Sequence, residues 1–278
     1  MSKRLLFSCL SLFIFSCSPK VVLLEHPKIV SIYFENKIES LEKNEINTLT
    51  GKRKIIKAKV EYAFGVIMEE SDRLIDEDYF LALHGYKKAN KLFTESKLLS
   101  ISILNESYPN FNDWLKNKSE IQFKPDDVYD LYWLAAAIGG AIKSSRGNPF
   151  ELVNLPTVGK LIKTAIKLDP DWGQGALFSA MMSFTVTRTD ISGDALVDST
   201  RYYFDRAITI SDSLDASPFI TFAESIYKPL QNKEGFQMNL NYVLSMDAGK
   251  NSKFELGNLI AQKRAKWLLS KTNEYFLE

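Results

Sequence analysis

From residue 28 onward, apolar residues recur every three or four positions, and β-branched alternation is scarce. That period marks helices buried on one face, so the chain reads as all-α. The pattern predicts a helix over 29–49. A second covers 54–75, with Ala58, Tyr62, Gly65 and Val66 on one stripe. Asp78 opens a third, which carries Phe80, Leu83, Tyr86, Leu92 and Phe93 and runs to 104. Residues 108–124 read as a polar loop with one helical turn around Trp114. Pro125-Asp126-Asp127 then starts a strongly apolar helix, VYDLYWLAAAIGGAIK. An acidic residue suits that start because it accepts from free N–H groups at the positive end of the helix dipole.

Two helices carry candidate functional residues. On the apolar one, Tyr129, Tyr132 and Trp133 accompany Ala135, Ala136, Ala137 and the pair Gly139-Gly140. Tyr129 and Trp133 share one face, Tyr132 and Ala136 another. Mid-helix glycine costs about 1 kcal/mol relative to alanine, so the pair needs a reason. One reading is close packing at the centre of a bundle. The other is a cavity wall, with Tyr129, Tyr132 and Trp133 as candidate pore or ligand-binding residues. In the last helix, Arg264 and Trp267 lie three apart, within stacking reach. Charged stems there could cover the end of the array, or Arg264 and Trp267 could dock a partner. The basic run Lys52, Arg53, Lys54, Lys57 and Lys59 reads as a solvated helix face, with anionic lipid as the alternative.

A repeat search organises the helices further. Repeats of the tetratricopeptide (TPR) type place a small residue at the helix-pair contact, a large one four later and alanine three beyond. Ala82, Tyr86 and Ala89 fit this spacing, as do Val158, Ile162 and Ala165 with Pro170 beyond. Thr200, Phe204 and Ala207 also fit, and Phe236, Leu240 and Val243 form a degenerate copy. Small residues let backbones approach, and each pair exposes an apolar face that the next pair covers. The expected architecture is one TPR-like array of helix pairs, an α-α superhelix. An irregular bundle is the alternative.

The N-terminus bears on location. Lys3 and Arg4 precede LLFSCLSLFIFSC, a charged start and an apolar run ending at a small residue and cysteine. That is the layout of a secretory signal peptide. The run is shorter than the roughly 20 apolar residues a membrane span needs. Ile14-Phe15-Ser16-Cys17 reads as a relaxed lipobox, with Phe15 bulkier than usual. The expected organisation is therefore a signal peptide over 1–16, a lipidated tether over 17–27 starting at Cys17, and a helical domain over 28–278. Each buried CH2 of an acyl anchor contributes about 0.8 kcal/mol, so several chains on one cysteine hold firmly. The lipoprotein signal implies the periplasm, and Ser18 rather than Asp after the cysteine favours the outer over the inner membrane where the enteric sorting rule applies.

Three stretches stand out further: DVYDLYWLAAAIGGAI at 127–142, KLDPDWGQGA at 167–176 and LGNLIAQKRAKWLL at 256–269. Together they resemble the T component (TatT) family of tripartite ATP-independent periplasmic (TRAP) transporters. Where family members have a His-Glu pair after the Gly-Ala turn, this chain has Phe178-Ser179. The resemblance implies a periplasmic helical lipoprotein with hidden TPR-like repeats and a pore through each subunit. It also implies a homotrimer, association with the substrate-binding P component, and a hydrophobic small molecule as ligand. A different class fits the same repeats: a scaffold lipoprotein in outer-membrane assembly that handles no small molecule.

Composition narrows the remaining classes. Hydrophobic residues make up 45% and charged residues 25%, at a net charge of +1, so nothing points to nucleic acid. Cys9 belongs to the expected signal peptide, which leaves the rest of the chain without a disulfide. His26 and His84 are far apart, and neither has metal-ligand neighbours, so no metal or other cofactor is expected. No nucleophile elbow, H-E-x-x-H, Walker loop or dinucleotide fingerprint occurs, and no enzyme is expected.

Overall fold

A computed structural model describes residues 26–276. They fold as one all-α body, with no strand among the described residues. Helix α1 spans Pro27–Asn44, with proline in its first turn, where a missing N–H is harmless. Thr48 then caps α2, Leu49–Tyr62, by accepting from Gly51 N at 2.9 Å. The break falls earlier than the apolar period suggests, because Glu42, Lys43, Asn44 and Glu45 offer no apolar face to bury. Helix α2 runs directly into a π-helical segment, Ala63–Met68, and then into α3, Glu69–Leu74.

Asp78 caps α4, Tyr79–Ser107, by accepting from Leu81 N at 3.0 Å. The expected turn around Trp114 is α5, Phe111–Leu115. A short tight turn, Pro125–Asp127, leads into α6, Val128–Ser144. Then come α7 (Pro149–Leu152), α8 (Leu155–Leu168), α9 (Ala176–Thr185) and α10 (Gly193–Ile210). Helix α11, Ser217–Phe222, continues as a second π-helical segment, Ala223–Tyr227. The chain closes with α12 (Lys233–Ser245), α13 (Glu255–Ser270) and α14 (Thr272–Tyr275).

Packing follows chain order. Helix α2 lies against α4, α4 against α6, α6 against α8, α8 against α9, and α9 against α10, while α11, α12 and α13 form the last group. The four spaced triplets of the sequence fall on interior faces. Ala82, Ala89, Ala165, Phe236, Leu240 and Val243 are completely buried, and Phe204 is half-buried. At the Gly-Ala turn, Gly175 has φ of 96°, and a Cβ there would meet the Ala207 carbonyl oxygen at 2.8 Å. Only glycine serves both the left-handed backbone and the close approach of α10.

The core is divided rather than continuous. One apolar cluster joins α1, α2 and α4, a second joins α5, α6, α8 and α9, and a third joins α11, α12 and α13. Helix α6 serves the first through Ala137 and Ala141 and the second through Leu131, Leu134 and Ile138. It is the central element of the fold, packed on nearly every side.

A passage around Tyr132 and a charged hub at Arg264

One stripe of α6 escapes this packing. Tyr132, Ala136, Gly139 and Lys143 follow helical spacing and keep some exposure, while their neighbours Leu131, Leu134, Ala135, Ala137 and Ile138 are buried. The stripe faces a cavity of about 360 Å³ between α6, α8 and α9. Tyr132 also lines a second cavity of about 350 Å³, walled by α1, the first π segment and α13. It lines a third of about 220 Å³, bounded by Ser179, Ser183, Asp215 and Thr221. Phe64 and Ala136 are common to the first two, and Ala180 and Ser183 to the first and third. These shared walls set the three spaces side by side around Tyr132, which lines all of them and marks the course of a passage through the helices.

The Gly-Gly pair serves both purposes left open by the sequence. A Cβ on Gly140 would sit 2.3 Å from the Phe93 ring, so α4 packs closely there. A Cβ on Gly139 would meet nothing within 4 Å, because that position opens on the passage.

An aromatic cluster frames the junction. The ring of Tyr132 lies 5.2 Å from Trp133 and 4.9 Å from Trp172, and Tyr129 lies 6.1 Å from Trp133 and 6.2 Å from Trp172. Burial pushes the Tyr129 and Tyr132 hydroxyls up to about 12, so both stay neutral. Trp133 lines the α13-side cavity, and its buried Nε1 has no acceptor among the described residues. Lys57 Nζ stands over its ring at 5.0 Å. Tyr129 is held farther out: its hydroxyl donates to the Arg53 carbonyl at 3.4 Å, under a guanidinium 5.4 Å from the ring.

Beside the passage lies a paired charge network. Arg264 on α13 donates from Nε and Nη2 to Glu224 and from Nη1 to Glu69 at 3.0 Å and Asp72 at 3.1 Å. Glu69 directly follows the first π segment, and Glu224 lies inside the second. A π turn shifts register by one residue, is rare, and frequently lies at functional sites. Here two of them present carboxylates from opposite ends of the chain to one guanidinium. Arg73 binds Glu69 at 3.0 Å, and Tyr86 donates to Asp72 at 2.5 Å.

The carboxylates respond differently. Burial raises the Glu69 carboxyl above its ordinary range, against the pull of Arg264 and Arg73. Burial also works against Asp72, but Lys143, Arg264 and the Tyr86 bond outweigh it and hold that carboxyl below its ordinary range. For Arg264, burial is overcome by Glu224, Glu69 and Asp72, so the guanidinium stays charged.

The structure therefore brings Tyr132 and Trp133 to the passage and sets Tyr129 on the adjoining ring cluster. It turns Arg264 inward, with 12% of its side chain exposed, so that guanidinium is committed to internal carboxylates rather than free to dock a partner. Trp267 is half-buried, 5.7 Å from the Arg264 guanidinium, in the stacking relation its spacing suggests. The basic run is a solvated face only in part: Lys54 and Lys57 are exposed, whereas Arg53 and Lys59 reach buried or interior pairs. Lys52 pairs with Glu106, Arg53 with the buried Asp130, Lys54 with Glu45 and Lys57 with Glu61, while the buried Lys59 pairs with Glu42 and Glu95. Trp172, Phe64 and Glu224 are site residues that periodicity alone did not single out. Cys17 and the 1–16 segment lie outside the described residues. Among the described residues, no cluster of His, Cys, Asp and Glu is arranged to hold a metal ion, and no helix is long and apolar enough to cross a membrane.

The fold is thus an all-α array whose end meets its beginning, with apolar spaces between its helices and its strong interior charges paired to each other. The chain belongs to the TRAP transporter T-component family, whose description matches residues 38–276. The members of that family are accessory components of TRAP transporters. A protein of Treponema pallidum (strain Nichols), itself described as uncharacterized, is similar as well. It is 21% identical over 226 residues, which cover 79% of this chain and 70% of the relative.

Proposed function

We propose that this protein is a lipid-anchored periplasmic accessory component of a TRAP transporter, which receives a hydrophobic ligand in the passage around Tyr132 and passes it to or from the substrate-binding P component. The observation that carries the reading is the partly exposed stripe Tyr132, Ala136, Gly139 and Lys143, beside Tyr129 and Trp133, on a helix whose other faces are buried. A central helix with one partly open, mostly apolar stripe needs something to face, and the two larger spaces fall within the range of small-molecule pockets, about 300–1,000 Å³. The unpaired Trp133 Nε1 offers one donor to such a ligand, because buried donors normally have acceptors. The tyrosines supply a neutral lining.

The anchor at Cys17, the homotrimer and the TPR character of the helix pairs belong to this proposal on the strength of sequence and family resemblance. With Arg264 committed internally, Trp267 and the outer faces of the array remain for partner docking. The test is a pull-down from native membranes with tagged protein. The reading expects a TRAP substrate-binding protein among the captured species, and its absence under mild detergent counts against the reading. Replacing Cys17→Ser should release the protein from the membrane fraction.

A further inference from the structure

A wide groove lies outside the passage, yet it shares a wall with it. It measures about 720 Å³ and runs along one face of α8 toward α5 and the 188–190 turn. Leu155 and Phe184 line both this groove and the α6-facing cavity. The Phe184 ring packs directly over Gly159, so one ring and one leucine divide a surface groove from the apolar interior.

The two sides of that wall differ in charge. Lys160, Lys163, Lys167 and Arg188 line the groove with Asp190 as the one carboxylate, on a chain whose net charge is +1. Two of these cations are occupied. Lys160 donates to the Trp114 carbonyl and to Asn117 Oδ1, and Arg188 grips Asp190 through two hydrogen bonds. Lys163 and Lys167, four apart and exposed on α8, make no hydrogen bond or close ion pair with a described residue, and Asp190, whose charge Lys163 also feels, is already held by Arg188. Lys143, at the other side of the cavity, is by contrast balanced by Asp72 and Glu69.

We infer that this groove is the head-group site of the passage, and that the ligand is a single-chain amphiphilic anion. Its charged head lies between Lys163 and Lys167, and its apolar part passes Phe184 into the cavity beside Ala136 and Gly139. This inference rests on the passage being a ligand site and adds the chemical class of what enters it. The cavity of about 360 Å³ is at the small end for ligand sites, which favours one acyl chain over two. Hydrogen bonds to charged groups are the strong ones, so an ionised head should be preferred over a neutral head on the same chain.

Displacement of the neutral dye phenylnaphthylamine from the protein tests this, with dodecanoate and dodecanol as competitors. Dodecanoate should bind at least about tenfold more tightly than dodecanol. In Lys163→Gln/Lys167→Gln, two exposed changes that leave packing alone, the two competitors should become equal. Raising salt should weaken dodecanoate in the parent protein only. Equal binding in the parent, or a preference that survives the double substitution, overturns the head-group site while leaving the passage intact. If neither competitor nor dye binds, the passage itself fails and the inference with it. Retention of two-chain phosphatidylglycerol after incubation with its vesicles, without displacement by dodecanoate, would also overturn the single-chain assignment.

Discussion

Arg264 holds Glu224 at both ends of its guanidinium face, with Nε to Oε2 at 2.7 Å and Nη2 to Oε1 at 2.7 Å. The same side chain reaches Glu69 and Asp72, so α13 is tied to both π-helical segments at once. This is the contact by which the end of the array meets its beginning. Replacing Arg264→Leu would leave three partly buried carboxylates without their shared partner. Removing one side of a buried pair costs about 3–5 kcal/mol, and a drop of that order in urea denaturation is expected. Arg264→Lys should recover only part of it, because one ammonium cannot reproduce a planar fork. A loss below about 0.5 kcal/mol, the level of an ordinary surface change, would show that the hub does not hold the ends together.

The adjacent glycines of α6 should respond in opposite directions. Gly139→Ala adds a methyl to open space and gains helix propensity, for a stabilisation of up to about 1 kcal/mol. Gly140→Ala drives a methyl into the Phe93 ring and should cost about 1–3 kcal/mol. Thermal melts of the two variants side by side provide the comparison. Equal shifts would mean that α6 is packed alike on both faces.

Acid should separate the two carboxylates that face Arg264. Asp72 has a folded pKa below its unfolded value of about 3.9, so its contribution is present above that value and is lost as pH falls through the folded pKa. Glu69 has a folded pKa above its unfolded value of about 4.3, so its shift favours the fold at low pH and is lost as pH rises through the folded pKa. Asp72→Asn should therefore destabilise most near neutrality, with the gap from the parent closing between about pH 5 and pH 2. Glu69→Gln should show no such closing. Denaturation across that range checks the signs, and parallel curves for both variants would contradict them.

Much of the fold was legible because helix period and caps are local. Asp78 does cap its helix, Trp114 does sit in a single turn, and Ala82, Ala89 and Ala165 do lie at contacts. The site was only half legible. Tyr132 stood out by chemistry, but which of two adjacent glycines faces open space depends on where Phe93 arrives from another helix. Lys59 looked solvated because its partners, Glu42 and Glu95, come from helices before and after its own. Arg264 looked like a docking cation because its carboxylates lie 40 to 195 residues away in sequence. The π turns that aim those carboxylates have no local signature that a period of 3.6 could reveal.

Filling the passage should block it without unfolding the protein. Gly139→Phe projects a ring into the space beside Ala136 and Val158, where nothing stands within 4 Å of the new Cβ. The variant should melt near the parent temperature and lose binding of an apolar dye. Undiminished dye binding would place the ligand elsewhere.

The most direct measurement is crystallography of the parent protein under xenon pressure, since apolar cavities take up xenon. The account predicts anomalous density beside Tyr132, Ala136 and Gly139 in the parent and none there in Gly139→Phe. Ordered water filling that space in both proteins, with xenon bound only elsewhere, would contradict an apolar passage at the centre of this fold.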